Sequence, residues 1–244
     1  MTLNTKSDGI LAVWLKPPIE IDEEFNEWYN TEHLQQITSQ SGFINGHRYK
    51  SIGTDTWYLA LYDLETLDAF FDKNFQNILA NPTPWSRRIK RKFNESENSD
   101  GIRNVYRKTL SLGDEPQKLI RFILMTKMDI AREGEDEFND WYNNKHALSL
   151  VQVPGCLRIR RFEAEAIVGE TPKFLAIFDL SSYEVLKSEA WIKAQAFGQT
   201  EKMRSYITNF NKDCYQFIFG IDANGFSNDQ IQPLVLASVT TPVN

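Results

Sequence analysis

Two stretches of the chain repeat one phrase that ends near a histidine. They are FNEWYNTEHL, which starts at Phe25, and FNDWYNNKHA, which starts at Phe138. The chain has three histidines, and His33 and His146 belong to these two phrases. Histidine is the side chain whose ordinary pKa suits proton transfer near neutral pH. Each phrase therefore indicates a candidate site for acid–base chemistry.

Helical spacing predicts where these histidines point. Residues four apart share one face of an α-helix, and the two phrases give two such stripes. The stripes are Phe25, Tyr29, His33 and Ile37, and Phe138, Tyr142, His146 and Leu150. Trp28 and Trp141 lie beside them. The stripes should face a sheet, so each histidine is directed inward, one turn from a tyrosine.

Two interpretations of these inward histidines remain open. A buried imidazole needs a hydrogen-bond partner, and a nearby Tyr, Asn or strand carbonyl would make it a packing residue only. Alternatively, the gap between helix and sheet is a ligand cavity. His33 with Tyr29, and His146 with Tyr142, are then the candidate catalytic residues, and the two tryptophans are candidate substrate-binding residues.

The strand expected after each phrase adds polar candidates. In FINGHRY, Ile44, Gly46 and Arg48 should share one face, with Phe43, Asn45, His47 and Tyr49 on the other. Arg48 and Arg161 are in line with apolar neighbours. Such an arginine usually extends to solvent or pairs with a carboxylate, and less often binds an anionic oxygen of a ligand. Arg48, Arg161, Glu32 and His47 complete the candidate substrate-binding residues.

The two phrases differ in charge. Lys145 stands where the first phrase has Glu32, and Arg160 stands where the first strand has His47. The first half therefore has more acid–base groups, and we expect it to hold the more competent pocket. The added positive charge in the second half should lower the pKa of His146.

The repeat extends well beyond the phrases. Phe138 follows Phe25 by 113 residues, and the same separation joins Gly42 to Gly155 and Arg48 to Arg161. YLALYDL, from Tyr58, matches FLAIFDL, from Phe174, at a separation of 116, which places a three-residue insertion in a loop. The chain is therefore expected to be a tandem duplication.

Each copy is expected to have the order β-α-β-β-α-β. Apolar runs predict first strands in ILAVWLKP and LIRFILMTKM, and helices are expected over 25–37 and 138–150. Strands are expected over 43–50, 57–63, 156–163 and 173–179, helices from about Glu65 and Ser181, and last strands near 102–110 and 213–220. The fold class is therefore α+β, with two tandem ferredoxin-like units that form an intramolecular α+β barrel. The units are 1–110 and 119–244, joined by a linker at 111–118. The second unit carries a C-terminal extension, in which LVLASVT is expected to add a strand.

Composition excludes several classes of function. A net charge of −6 gives no general attraction to nucleic acid or anionic membranes. No apolar run is long enough to span a bilayer, and the polar N-terminus lacks a signal-peptide pattern, so a cytoplasmic protein is expected. The spacing of histidines and cysteines predicts no metal site. Cys156 and Cys214 should lie on opposite edges of one sheet, each opening a strand, as free thiols.

The pattern F-N-x-W-Y-N-x-x-H, followed by a strand that opens with SGF or PGC, resembles the EthD-like branch of the dimeric α+β barrel superfamily. The resemblance runs from about Gly9 to about Gly220, and the usual dimer looks fused into one chain. It implies a monomeric pseudo-dimer or a homodimer, with a cavity between helices and sheet. Carried over, its histidine corresponds to His33 and His146, and relatives include cofactor-free monooxygenases, cyclases, isomerases and dehydratases.

Three functions follow as hypotheses. The first is a cofactor-independent enzyme that acts on a small aromatic or polyketide-like compound by lyase, dehydratase, isomerase, cyclase or cofactor-free oxygenase chemistry. There, His33 would move a proton and Arg48 or His47 would stabilise an oxyanion. The second is a non-catalytic small-molecule binder. The third, which the resemblance to tandem chlorite dismutase-like proteins implies, is a haem protein.

Overall fold

Eight antiparallel strands close into a barrel in the order β1-β3-β2-β8-β5-β7-β6-β4. The structure, a computed structural model, describes residues 7–115, 119–166, 171–198 and 201–222. The strands are β1 (Gly9–Lys16), β2 (Phe43–Ser51), β3 (Tyr58–Leu64), β4 (Asp100–Leu112), β5 (Phe122–Ile130), β6 (Cys156–Ala166), β7 (Phe174–Leu180) and β8 (Ile207–Asp222). The predicted α+β barrel is confirmed, and the strand expected in LVLASVT lies outside the described residues.

The barrel is assembled from two sets of four strands. The first four pair in the order β4-β1-β3-β2, and the last four pair in the order β8-β5-β7-β6. Antiparallel pairing of β2 with β8 and of β4 with β6 closes the ring. Each set therefore covers the inner face of the other within one chain.

Helices cover the outside of the barrel. In the first half they are α1 (Asp22–Trp28), α2 (Leu34–Thr38), α3 (Asp68–Phe71), α4 (Lys73–Ala80) and α5 (Pro84–Asn94). In the second half they are α6 (Glu135–Trp141), α7 (Ala147–Val151), α8 (Glu189–Ala196) and α9 (Glu201–Ser205). No helix of the described ranges is both long and apolar enough to cross a membrane.

Burial on two sides explains the continuous apolar strands. In β3 the side chains alternate between two cores, with Leu59 and Leu61 in the barrel interior and Tyr58, Ala60 and Tyr62 under the helices. A strand buried on both faces needs apolar residues at every position. The run YLALYDL therefore encodes a central strand.

The repeated phrases form the helices that were predicted, and a glycine lies in the turn between each helix and the next strand. Acidic residues fill the first turns of α1 and α6, where they favour the helix N-terminus. Gly42 and Gly155 follow with φ of +82° and +93°, a conformation that glycine adopts without strain. An added Cβ would lie 2.6 Å from Ala69 at the first position and 2.5 Å from Val185 at the second.

Several predicted boundaries were wrong. The helices expected from Glu65 and Ser181 begin at Asp68 and Glu189, because short turns come first. The last strand begins at Ile207 rather than near 213, so Cys214 lies inside β8 and does not open it. Cys214 and Cys156 are nevertheless free thiols on the two outer strands of the second set.

Candidate functional site

A π-helical turn interrupts each of the two equivalent helices at the tyrosine and the histidine. The turn Tyr29–His33 separates α1 from α2, and Tyr142–His146 separates α6 from α7. A π turn adds one residue to the helical turn, so side chains five apart come together. Trp28 stacks on His33, with ring centroids 4.4 Å apart and planes 19° apart.

The second half repeats this stack. Trp141 lies 4.7 Å from His146 with planes 27° apart. The tyrosines contact the histidines edge-on, at 4.9 Å for Tyr29 and 5.0 Å for Tyr142. The sequence placed each tyrosine next to its histidine correctly. The tryptophan stack depends on the π turn, which hydrophobic spacing does not reveal.

The asparagines of the first phrase hold Arg48 behind Tyr29. The guanidinium donates to Oδ1 of Asn30 at 2.5 Å and to Oδ1 of Asn26 at 2.9 Å, and it lies 4.2 Å from the Tyr29 ring centroid. Arg48 is fully buried, and burial lowers its pKa to about 10. Amide oxygens, and not a ligand oxygen, therefore satisfy this arginine.

The second half has the same arrangement, in which two asparagine side chains hold an arginine behind a tyrosine ring; we call it the Arg–Asn lock. Arg161 donates to Asn143 at 2.6 Å and to Asn139 at 2.9 Å, and it lies 4.0 Å from the Tyr142 ring centroid. Neither Arg48 nor Arg161 lines either of the two cavities described below. The structure places both arginines behind the tyrosines, so the tyrosine rings separate the guanidinium groups from the cavities.

A cavity of about 860 Å³ lies between the helices and the sheet of the first half. Its size is within the range of small-molecule sites, about 300–1,000 Å³. Most of its lining is apolar and comes from β1, α2, α4 and α5. The polar side chains that line it include Tyr29, His33, Gln36 and Tyr62, and the charged ones are Lys90, Asp100 and Arg103. Such a lining suits a flat apolar molecule that carries a few oxygen atoms.

Tyr62 was missed by the sequence interpretation, and it forms a hydroxyl pair with Tyr29 at 3.0 Å. Burial is the main cause that raises the pKa of both phenols, so both are protonated at neutral pH. The hydrogen bond lowers the pKa of Tyr29 and raises that of Tyr62. Either hydroxyl can be the donor of this bond, so one O–H of the pair stays available to a ligand. The sequence does single out Tyr62, because Phe178 stands at the matching position of the second half.

His33 is neutral at physiological pH. Burial, and then the charge of Arg48, lowers its pKa to about 4, while Gln36 raises it slightly through a hydrogen bond. Within the described chain, Nδ1 of His33 is buried and has no hydrogen-bond partner. His33 is only partly buried and lines the cavity, so a bound molecule can reach its ring.

The corresponding space in the second half is nearly filled. The cavity that His146 and Tyr142 line measures about 70 Å³. Asp72 and Ser188 both cap the helix that follows them, which aligns Trp191 with Phe75. The larger indole therefore occupies volume that is open in the first half.

A second bulky residue closes the same space. Ile10 pairs with Tyr106, and Ile123 pairs with Tyr215 in the same way, so counting back five residues matches Phe210 to Gly101, next to a shift in register between Lys127 and Asp129. Phe210 lines the small cavity, while Gly101 lines the large one.

Burial and Arg161 lower the pKa of His146 to about 4. The predicted direction is therefore right, but the pKa of His33 is lowered just as far, and Lys145 is not the cause.

Glu32 supports the site without lining it. Its Oε1 accepts hydrogen bonds from Trp28 Nε1 at 3.2 Å, Thr83 Oγ1 at 2.6 Å and Ser86 Oγ at 3.3 Å. Thr83 is the N-cap of α5. Glu32 therefore ties the Trp28 ring to the start of the helix that covers the cavity.

His47 is on the wrong side of the sheet to act with His33. Successive strand residues point to opposite faces, and Arg48 faces the helices. His47 faces the barrel interior, where its ring centroid lies 5.9 Å from that of Phe217. Burial is the main cause that lowers its pKa. Its counterpart Arg160 forms ion pairs with Asp63 and Asp179 on the same inner side.

The face of one further strand residue was mispredicted. A β-bulge between Phe43 and Asn45 shifts the register of β2 against β3. Phe43 therefore packs in the core under the helices, on the same side as Arg48, while Tyr49 remains in the barrel interior.

Comparisons with known proteins identify the fold. No family model matches the chain, and no curated protein matches it. Among solved structures, an anthrone oxidase-like protein matches with a TM-score of 0.61 and 13% identity, over 90% of this chain and 95% of that one. A "putative monooxygenase" from Fusobacterium nucleatum matches with a TM-score of 0.59 and 10% identity, over 92% and 99%. Chlorite dismutase from Candidatus Nitrospira defluvii matches with a TM-score of 0.56 and 10% identity, over 87% and 92%. At these identities the likeness shows the fold alone, which is a closed antiparallel barrel with helices on its outside.

Proposed function

We propose that the first-half cavity is the active site of an enzyme that moves a proton on a small aromatic or polyketide-like compound without a bound cofactor. The supporting observation is the large apolar cavity in which neutral His33 lies beside the Tyr29–Tyr62 hydroxyl pair. A base and a hydroxyl donor that converge in a largely apolar pocket are the minimum for forming an enolate or phenolate.

The chemistry follows from the roles of these side chains. His33 takes a proton from a carbon next to a carbonyl, or from a phenol, and the electron pair moves onto the substrate oxygen. Tyr29 donates a hydrogen bond to that oxygen, and Tyr62 donates to Tyr29. Arg48, behind the Tyr29 ring, favours negative charge there. The new enolate lies beside the new imidazolium and raises its pKa, which offsets the lowering of that pKa by burial.

Several reactions can follow this first step. An enolate or phenolate can eliminate water, shift a double bond, close a ring or react with oxygen. Lyase, dehydratase, isomerase, cyclase and cofactor-free oxygenase activities all remain within the proposal. Neighbours named for anthrone oxidation and monooxygenation favour testing oxygen chemistry first.

The test measures proton transfer by itself. Exchange of the acidic C–H hydrogens of anthrone for deuterium, followed by NMR, reports the first step whatever follows it. We expect His33→Ala to lower the rate of exchange by about a hundredfold or more, which is the usual contribution of a general base. His146→Ala is the matched control and should keep it. Thermal unfolding of both variants checks the fold. Equal exchange in the two variants, at equal stability, would exclude His33 as the base.

A non-catalytic binder is the second candidate. The pKa of about 4 for His33 favours it, because a weak base is suited to accept or donate a hydrogen bond without proton transfer. A binder predicts that anthrone raises the unfolding temperature while its hydrogens do not exchange. Haem is the third candidate, and of the two cavities described above the first-half cavity is the one of sufficient volume. A Soret band in the purified protein would support it, with His33 as the axial ligand.

We also infer that the chain consists of two tandem ferredoxin-like units of the EthD-like branch, at 1–110 and 119–244. The repeated strand order, the two π turns and the two Arg–Asn locks support this inference. The single chain then provides the barrel that relatives form from two subunits. Light scattering should show a monomer or a homodimer.

A further inference from the structure

Three buried polar atoms without a partner surround the small cavity of the second half. They are Nε1 of Trp141, Nδ1 of His146 and Nε1 of Trp191, and no described residue hydrogen-bonds to them. All three side chains line the cavity of about 70 Å³, and each is more than nine-tenths buried. An indole N–H can only donate, so two of the three atoms require an acceptor. A buried donor without an acceptor is destabilising.

The first half shows what the missing acceptor is. There, the indole N–H of Trp28 donates to the Glu32 carboxylate and to Ser86 Oγ, at 3.2 Å each. Lys145 occupies the position of Glu32 in the second phrase. It is exposed and forms no ion pair with any described residue. The second half therefore has an exposed cation at the position of the phrase where the first half has a carboxylate.

The surrounding charges favour an anion. None of the residues that line the small cavity is acidic, and Lys212 is among them. Arg161 lies behind Tyr142 and is held by two neutral amides instead of a carboxylate. An anion that enters would meet positive potential and free N–H donors in a site of low dielectric constant.

We propose that the second half binds a small carboxylate-type anion at the indole N–H of Trp141, in the place that the Glu32 side chain takes in the first half. The cavity has room for only a few heavy atoms, since one water molecule needs about 10–15 Å³ of such space. Formate and acetate are of this size, whereas an aromatic acid is too large. This site is independent of the chemistry proposed for the first half.

Formate is the probe, and sodium gluconate at equal ionic strength is the control for screening and bulk salt effects. At ten times its Kd, formate should raise the unfolding temperature by about 3–5 °C, while gluconate should not. In ¹⁵N-labelled protein the indole N–H signal of Trp141, assigned with Trp141→Phe, should shift saturably with formate. The unfolding temperature of Trp141→Phe should no longer respond to formate.

Lys145→Glu separates an anion site from a site that holds only water. The substitution restores the carboxylate of the first half, so the variant should unfold at a higher temperature without formate and should not respond to it. Lys145→Gln is the matched control and should bind formate more weakly without the gain in stability. The proposal is overturned if the Trp141 signal does not shift, or if Lys145→Glu responds as the original protein does.

Discussion

Replacing Arg48 by methionine distinguishes a structural arginine from one that binds ligand. Methionine keeps the length and most of the volume of the side chain but removes the charge and all five donors. The change leaves Oδ1 of Asn26 and Oδ1 of Asn30 without the partner that holds them now. Asn26 cannot turn to find another, because its amide nitrogen already donates to Asp22 O at 2.7 Å and to the Tyr58 hydroxyl at 2.9 Å.

The size of the effect follows from the contacts. Each hydrogen bond from a charged group contributes about 1.5–3 kcal/mol, and a desolvated cation over an aromatic ring adds about 2 kcal/mol. The substitution also removes the desolvation cost of a buried charge that no carboxylate neutralises. This gain offsets several kcal/mol of the lost stabilisation. We therefore expect Arg48→Met to lower the free energy of unfolding by about 3 kcal/mol, and the unfolding temperature by about 6–12 °C.

Urea unfolding followed by tryptophan fluorescence measures this loss. Arg161→Met is the matched variant, because its lock has the same hydrogen bonds within 0.1 Å, and it should lose a similar amount. Arg48→Lys should recover little of the stability that Arg48→Met loses, since an ammonium cannot reach both amides in the same plane. If Arg48→Met costs less than about 1 kcal/mol while anthrone exchange is lost, the arginine serves the ligand and the structural interpretation is wrong.

Three further predictions concern pH, the cavity and the thiols. Because burial lowers the pKa of His33 and His146 to about 4, the unfolded chain takes up protons first as the pH falls. The free energy of unfolding should drop by about 2 kcal/mol per histidine from pH 7.5 to pH 5, and His33→Gln should show a smaller drop in urea unfolding. Gly101→Phe should weaken binding of an apolar fluorescent dye about tenfold, with the fold intact, because a new Cβ meets only a leucine methyl at 2.9 Å. An intact mass measured without reductant should show Cys156 and Cys214 as free thiols, and a mass two hydrogens lower would contradict this. The thiol of Cys156, whose pKa burial raises to about 12, should react with a disulfide reagent only after unfolding.

The fold could be predicted because long-range periodicity encodes it. Strands buried on both faces leave continuous apolar runs, such as YLALYDL from Tyr58, and the repeat shows that each run has a counterpart. The ends of the elements were predicted less well. Whether a helix starts at Ser181 or at Glu189 depends on a single turn, whose free energy is small beside that of the core.

The site was predicted in part, for a reason that the π turn illustrates. A one-residue insertion in a helical turn leaves the apolar stripe nearly in place, so the spacing of Tyr29 and His33 looked like an ordinary helix. The stack of Trp28 on His33 therefore could not be read from the sequence. Tyr62 could have been found, because it differs from its counterpart Phe178 in an otherwise matched strand. The volume of the cavity could not be predicted from the sequence, since it depends on how α5 and the strands pack.

The repeated phrase does not by itself encode chemistry. Both copies form the π turn, the Trp–His stack and the Arg–Asn lock, yet only one copy leaves an open cavity. The phrase therefore specifies how a helix is held against the sheet, and it would persist in both halves for that reason alone. The capacity to bind an organic molecule depends on the positions at which the halves differ, among them Gly101 against Phe210, Phe75 against Trp191 and Tyr62 against Phe178. Substitutions at the shared positions should therefore change stability in either half, while substitutions at the divergent positions should change binding in one half and leave the fold intact.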